Sequence, residues 1–162
     1  MMSDPIKHIL FVCTGNICRS PFAEGLLRKL AQENGLDDIV ADSAGLLALS
    51  GNSATGLAQK VAAEYDVDLS RHMAKSVKEN IVNRSDLILA MENSQLKNLL
   101  DAFPEAKDKV SLIRRFARFG SKDRGVADPY GLNYDAYRFC FLDIQDGVSG
   151  LAEYLGEPQA HQ

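Results

Sequence analysis

Ile9-Leu10-Phe11-Val12-Cys13-Thr14-Gly15-Asn16-Ile17-Cys18-Arg19-Ser20-Pro21 is the stretch that decides how this chain folds. The apolar run from His8 to Val12 does not alternate with polar residues, the pattern of a parallel strand buried on both faces. Gly15 allows a sharp bend after it, and Asn16 tolerates the left-handed region better than most residues. Ser20 is expected as an N-cap, with Pro21 at the first helical position. From Pro21 to Asn34, Phe22, Leu26, Leu27 and Leu30 recur at helical spacing, and Asn34-Gly35 supplies the stop.

A strand, a tight loop and a helix start in that order make an anion site. Cys13 and Arg19 enclose five residues. A thiol is a weak nucleophile until ionised, and a helix N-terminus or a nearby cation favours the thiolate. The N–H groups of a loop running through Thr14, Gly15, Asn16, Ile17, Cys18, Arg19 and Ser20 converge on a phosphate-sized space. Arg19 supplies a planar fork for two phosphoryl oxygens, which a lysine does not match. The Ser20 hydroxyl is placed to donate to sulfur. A lone cysteine at a strand end is more often a core residue. With thiol, glycine, asparagine, arginine, serine and proline together, the pattern points to sulfur attacking phosphorus, with Cys13 and Arg19 as the catalytic pair.

Further strands are expected at Ile39–Ala41, Leu87–Met91 and Val110–Ile113. Helices are expected at 54–65, at Ser94–Phe103 with Ser94 as cap, and at Tyr134–Tyr154. Strands alternating with helices imply a parallel sheet covered on both faces, with ligands beyond the carboxyl ends of the strands, where Cys13 falls.

These residues resemble the low-molecular-weight protein tyrosine phosphatases, in which Cys-x5-Arg-Ser-Pro follows the first strand. Other tyrosine phosphatases place His before the Cys and carry the motif late in the domain, unlike Val12-Cys13. The resemblance continues through Ala23-Glu24, Asp42-Ser43-Ala44-Gly45, Leu69-Ser70-Arg71-His72-Met73-Ala74, Asp86-Leu87-Ile88-Leu89-Ala90-Met91 and Asp128-Pro129-Tyr130, from Lys7 to about Tyr154. It implies an α/β fold over a single domain, 1–162, with a four-stranded parallel sheet in order 2-1-3-4. It assigns Asp128 as the catalytic acid, on a loop stiffened by Pro129. That carboxyl protonates the leaving group and later deprotonates the water that hydrolyses a phosphocysteine. Asn16, Ser20, Ser43 and His72 match supporting positions that hold the loop. Cys18 matches a second cysteine able to form a disulfide with Cys13, and filling the loop with a small residue explains it equally well. No cofactor is implied. The implied partners are a phosphotyrosine-containing protein and a cognate tyrosine kinase.

The chain departs from the family in its cleft. Leu46-Leu47-Ala48-Leu49 replaces a large aromatic, and Gly131 replaces a frequent second tyrosine, leaving Ile17, Leu47, Leu49 and Tyr130 as the walls. Protein-arginine phosphatases are close relatives, with similar Thr14, Ser-Ala-Gly and Gly131 segments, but they carry threonine where this chain has Ile17. Phosphotyrosine is therefore the first substrate reading and phosphoarginine the alternative. Arsenate reductases of this fold need two further cysteines, and none lies between Asp86 and Phe103. A cysteine phosphocarrier needs neither Arg19 nor Asp128, and a silent binding module lacks the thiol or the acid.

Composition agrees with a soluble globular protein: 162 residues, 46% hydrophobic, 25% charged. A net charge of −4 argues against nucleic acid. Arg114, Arg115, Arg118, Lys122 and Arg124 form a basic run expected to be a solvated face. The stretch Met1 to Pro5 has no signal-peptide core, and no segment is long enough to span a membrane. Three cysteines give no disulfide framework and fit a reducing cytoplasm, with Cys140 expected in the core. No Cys/His cluster has zinc spacing, so no metal is expected. His8 and His161 are given no role.

Overall fold

The structure is a computed structural model that describes residues 5–157. The segment 1–4 and His161 lie outside the described residues. The elements run β1 (His8–Cys13), α1 (Arg19–Glu33), β2 (Val40–Gly45), α2 (Gly56–Ala63), α3 (Glu79–Arg84), β3 (Leu87–Ala90), α4 (Asn93–Ala102), β4 (Val110–Leu112) and α5 (Tyr134–Gly156). The four strands form one parallel sheet in the order β2-β1-β3-β4.

The strand period of two sends alternate side chains into two cores. Ile9, Phe11 and Cys13 of β1 face α1, α2 and α5, where Phe22 and Phe141 stack with centroids 4.0 Å apart. Leu10 and Val12 face the opposite side, with Ile81 and Val82 of α3 and Leu99 of α4. Both faces of β1 are thus apolar, which explains its unbroken hydrophobic run. Removing an aromatic such as Phe22 from this core costs about 3–5 kcal/mol.

Several boundaries depart from expectation for stated reasons. β2 continues to Gly45, because its polar residues are satisfied by tertiary partners: Asp42 by Lys75 and Arg84, Ser43 by Asn16 and Glu24. At its end, a Cβ on Gly45 would lie 2.6 Å from the Thr14 carbonyl, so only glycine lets β2 lean on the loop. The first helix begins at Arg19, with Cys18 as its N-cap position and no side-chain cap. Ser20 is therefore not the cap, and Pro21 is not at the first position. Both sit inside the first turn, where proline is tolerated because those N–H groups have no intrahelical acceptor. Ser94 is not a cap either. Glu92 occupies that position and exchanges hydrogen bonds with Gln95 in a capping box. Thr55 caps α2, its hydroxyl accepting from the Ala58 N–H. The six residues of α3 are too few to show a period in sequence. The basic run is only partly a solvated face: Arg114 is 2% exposed, bonded to Asp146 and to the carbonyls of Phe119, Ser121 and Asp143.

Candidate active site

The loop after β1 turns its carbonyls outward. Those of Cys13, Thr14, Asn16 and Ile17 accept from Leu46 N–H, Leu47 N–H, the His72 ring and Thr55 N–H, at 3.0, 2.9, 2.6 and 3.0 Å. The N–H groups of Thr14, Gly15, Ile17 and Cys18 find no acceptor among the described residues. A loop with its carbonyls anchored outside and its N–H groups unengaged inside is an anion nest. The left-handed residue that makes this possible is Asn16, at φ 58°; Gly15 does not lie at positive φ. The sharp bend assigned to Gly15 is therefore supplied by Asn16, whose side chain is held from three directions.

Those bonds fix the orientation of the Asn16 amide. Asn16 Oδ1 accepts from the Lys75 N–H at 2.9 Å, so its Nδ2 must donate, to Ser20 Oγ and Ser43 Oγ, each at 2.9 Å. Ser43, accepting from Asn16, sends its own proton to Glu24 Oε1 at 2.5 Å. Ser20, accepting likewise, has its proton free for Cys13 Sγ, 2.8 Å away. The Asn16 N–H reaches the same sulfur at 3.3 Å. Burial pushes the Glu24 carboxyl pKa up, against the hydrogen bond from Ser43 and the Arg28 charge. Asn16, Ser20, Ser43 and His72, predicted as supports, come together in this network. Glu24 closes it, 19 residues from Ser43 in sequence.

Arg19 is buried beside the nest. It is ion-paired to Glu92, donates to the Val126 carbonyl at 2.9 Å and lies 3.5 Å from Asp128. Burial works against its charge, but Cys13, Asp128 and Glu92 outweigh it and raise the guanidinium pKa. Asp128 also accepts from the Tyr130 N–H at 3.1 Å. Glu92 and the Val126 carbonyl were not anticipated from sequence. The acid-x-x-Gln spacing of Glu92 and Gln95 just after a strand was the available signal.

A cleft of about 260 Å³ opens over Cys13, lined by Thr14, Ile17, Arg19, Asp128 and a rim of Leu47, Leu49, Asn52 and Tyr130. The predicted walls are all present, and Asn52 is the addition. Cys18 also reaches the cleft, but its sulfur lies 3.4 Å from Tyr137 Oη and 3.6 Å from Thr55 Oγ1. Burial pushes its thiol pKa up, against the hydrogen bonds to Tyr137 and Thr55. Cys140 is buried in the core, and all three cysteines are free thiols. Among the described residues no helix is long and apolar enough to cross a membrane. Among them too, no group of His, Cys, Asp or Glu is arranged to hold a metal ion.

The profile of the low molecular weight phosphotyrosine protein phosphatases matches residues 8–160. The chain belongs to that family. Among its relatives, the probable low molecular weight protein-tyrosine-phosphatase EpsP of Ralstonia nicotianae is 37% identical over 143 residues, 88% of this chain and 92% of that one. A protein-arginine-phosphatase of Geobacillus stearothermophilus is 33% identical over 94% of this chain and 98% of its own. Among solved structures, a cysteine-to-serine mutant of the YwlE arginine phosphatase, with a phosphorylated active-site serine, superposes with a TM-score of 0.87. It is 30% identical, and the match covers 96% of this chain and 99% of that one.

Proposed function

We propose that this member of the family is a protein tyrosine phosphatase working through a phosphocysteine on Cys13. The observation that carries the reading is the nest itself: unengaged N–H groups facing a sulfur that already receives the Ser20 and Asn16 donors. A phosphoryl dianion in the nest places phosphorus against Cys13 Sγ, with Arg19 beside it to grip its oxygens. Sulfur attacks, the P–O bond to the leaving group breaks, and Asp128 protonates the departing oxygen. The same carboxylate then removes a proton from water, which attacks phosphorus, releases phosphate and restores the thiolate held by Ser20. The relative carrying a phosphorylated active-site serine is consistent with phosphoryl transfer to the residue at this position.

Depth supports the choice of substrate. Cys13 is only 3% exposed and lies beneath a rim of exposed side chains, so the phosphate must arrive on a long, flat linker. A phenyl ring supplies that reach and serine does not. Arginine is the second reading, favoured by the arginine phosphatases among the relatives. We place the enzyme in a reducing cytoplasm, which its three free thiols fit, alongside a tyrosine kinase that makes its substrate.

Turnover of matched phosphotyrosine, phosphoarginine and phosphoserine peptides tests the reading, with phosphotyrosine expected to be fastest and phosphoserine negligible. Cys13→Ser is expected to abolish turnover while leaving phosphate or vanadate binding measurable. Full activity in that variant would remove Cys13 from the chemistry.

A further inference from the structure

Gln95 is 2% exposed, and both ends of its amide are engaged. Its Oε1 accepts from the N–H groups of Met91 and Glu92, both at 3.0 Å, at the carboxyl end of β3. Two backbone donors on one side leave no ambiguity about which atom is oxygen. The Nε2 group is therefore the end that meets Thr14 Oγ1, at 3.1 Å, and an amide NH2 can only donate. Thr14 Oγ1 must accept there, so its own proton points elsewhere. Thr14 follows the nucleophile directly and lines the cleft over Cys13.

We propose that Gln95 is a positioning residue: it orients the Thr14 hydroxyl as a directed donor into the cleft, giving the phosphoryl group one donor beyond the N–H nest and Arg19. The inference rests on the phosphatase reading and deepens it. The anion then receives a hydrogen bond whose direction was set before it arrived, so no side chain reorganises on binding. Loss of one hydrogen bond to a charged group weakens binding by on the order of tenfold or more.

The test measures competitive inhibition by inorganic phosphate, and kcat/KM for an aryl phosphate, on the full chain. Thr14→Val keeps the shape and removes the donor, and is expected to raise the phosphate inhibition constant by about tenfold. Thr14→Ser restores the hydroxyl and is expected to recover most of that loss. Gln95→Glu keeps an oxygen that accepts from both backbone N–H groups but presents a second acceptor to Thr14, turning its proton away from the cleft. It is expected to weaken phosphate on the native background by at least as much as Thr14→Val, and by several-fold less on the Thr14→Val background, where only its charge remains. Gln95→Leu, checked by thermal melting for its fold, is expected to show the same non-additivity. Equal losses from Gln95→Glu on both backgrounds, or unchanged phosphate inhibition in Thr14→Val, would overturn the proposal. Failure of the unsubstituted protein to bind phosphate would instead overturn the function on which it rests.

Discussion

Asp128 and Arg19 share a contact at 3.5 Å, and that pairing has a chemical consequence. On the proposed reading, the guanidinium that grips the phosphoryl oxygens also holds the Asp128 carboxyl next to the leaving group. Asp128→Asn is expected to lower turnover of poor leaving groups by about 10²–10⁴-fold, the scale of general acid catalysis. The loss should shrink for aryl phosphates whose phenoxide leaves easily. An equal loss for both kinds would mean that Asp128 positions rather than protonates. Ile17 makes a second residue-scale prediction, since its half-buried side chain lines the cleft beside the nest. Its branched bulk is expected to press on a guanidinium more than on a flat ring, and pocket shape of this kind discriminates by roughly 10–200-fold. Ile17→Thr should therefore raise the phosphoarginine rate relative to phosphotyrosine, read as the ratio of kcat/KM on matched peptides. A native preference for phosphoarginine would show that Ile17 is not the filter.

At the scale of elements, α1 is joined to α2 and α5 through one sulfur. Cys18 sits at the start of α1, Thr55 caps α2, and Tyr137 is in the first turn of α5, with its Oη 3.0 Å from Thr55 Oγ1. This three-element contact bears on oxidation. Peroxide converts a reactive thiolate to a sulfenic acid, which a neighbouring thiol condenses to a disulfide with loss of water. Cys18 must leave Tyr137 and Thr55 to do so, with a pKa raised by burial. A Cys13–Cys18 disulfide, reversible by added thiol, is expected on peroxide treatment of both the native protein and Tyr137→Phe. Mass mapping that finds only sulfinic or sulfonic Cys13 in both proteins would exclude Cys18 as the resolving thiol. At the same scale, two helix starts depart from the local pattern. Ser20 and Ser94 look like caps locally, yet the sulfur of Cys13 claims the first and the Glu92–Gln95 box displaces the second.

Over the whole molecule, acid stability follows from aspartates that tie distant segments together. The bidentate Arg124 holds Asp143 below the ordinary aspartate value of 3.8, with burial opposing it. Burial also opposes ionisation at Asp42, where Lys75, the Ser43 N–H and Arg84 prevail and lower the pKa. A carboxyl whose folded pKa lies below its unfolded one contributes stability above the unfolded value and loses it as pH falls through the folded one. The urea midpoint is therefore expected to drop below about pH 4. Asp143→Asn should flatten part of that drop, and an unchanged pH profile in the variant would show that the Arg124 pair contributes nothing. Glu24 acts in the opposite sense: its raised pKa gives stability at low pH that fades as pH rises.

The sequence by itself determined what depends on neighbours along the chain. The double-sided apolar run of β1, the Cys-x5-Arg loop and the acid before Pro129 are local patterns. They sufficed for a parallel α/β fold and for naming Cys13 and Arg19 as residues to test, and the family resemblance singled out Asp128. Only the tertiary structure decided what holds them. Arg19 meets Glu92 across 73 residues and the Val126 carbonyl across 107, and Thr14 meets Gln95 across 81. No local pattern encodes such pairs, because sheet order rather than chain order brings the ends of β1 and β3 side by side. Arg114 makes the same point beside the middle of α5. A basic run reads as solvent-facing until folding supplies Asp146 and three backbone carbonyls, and a buried charge so satisfied no longer needs water.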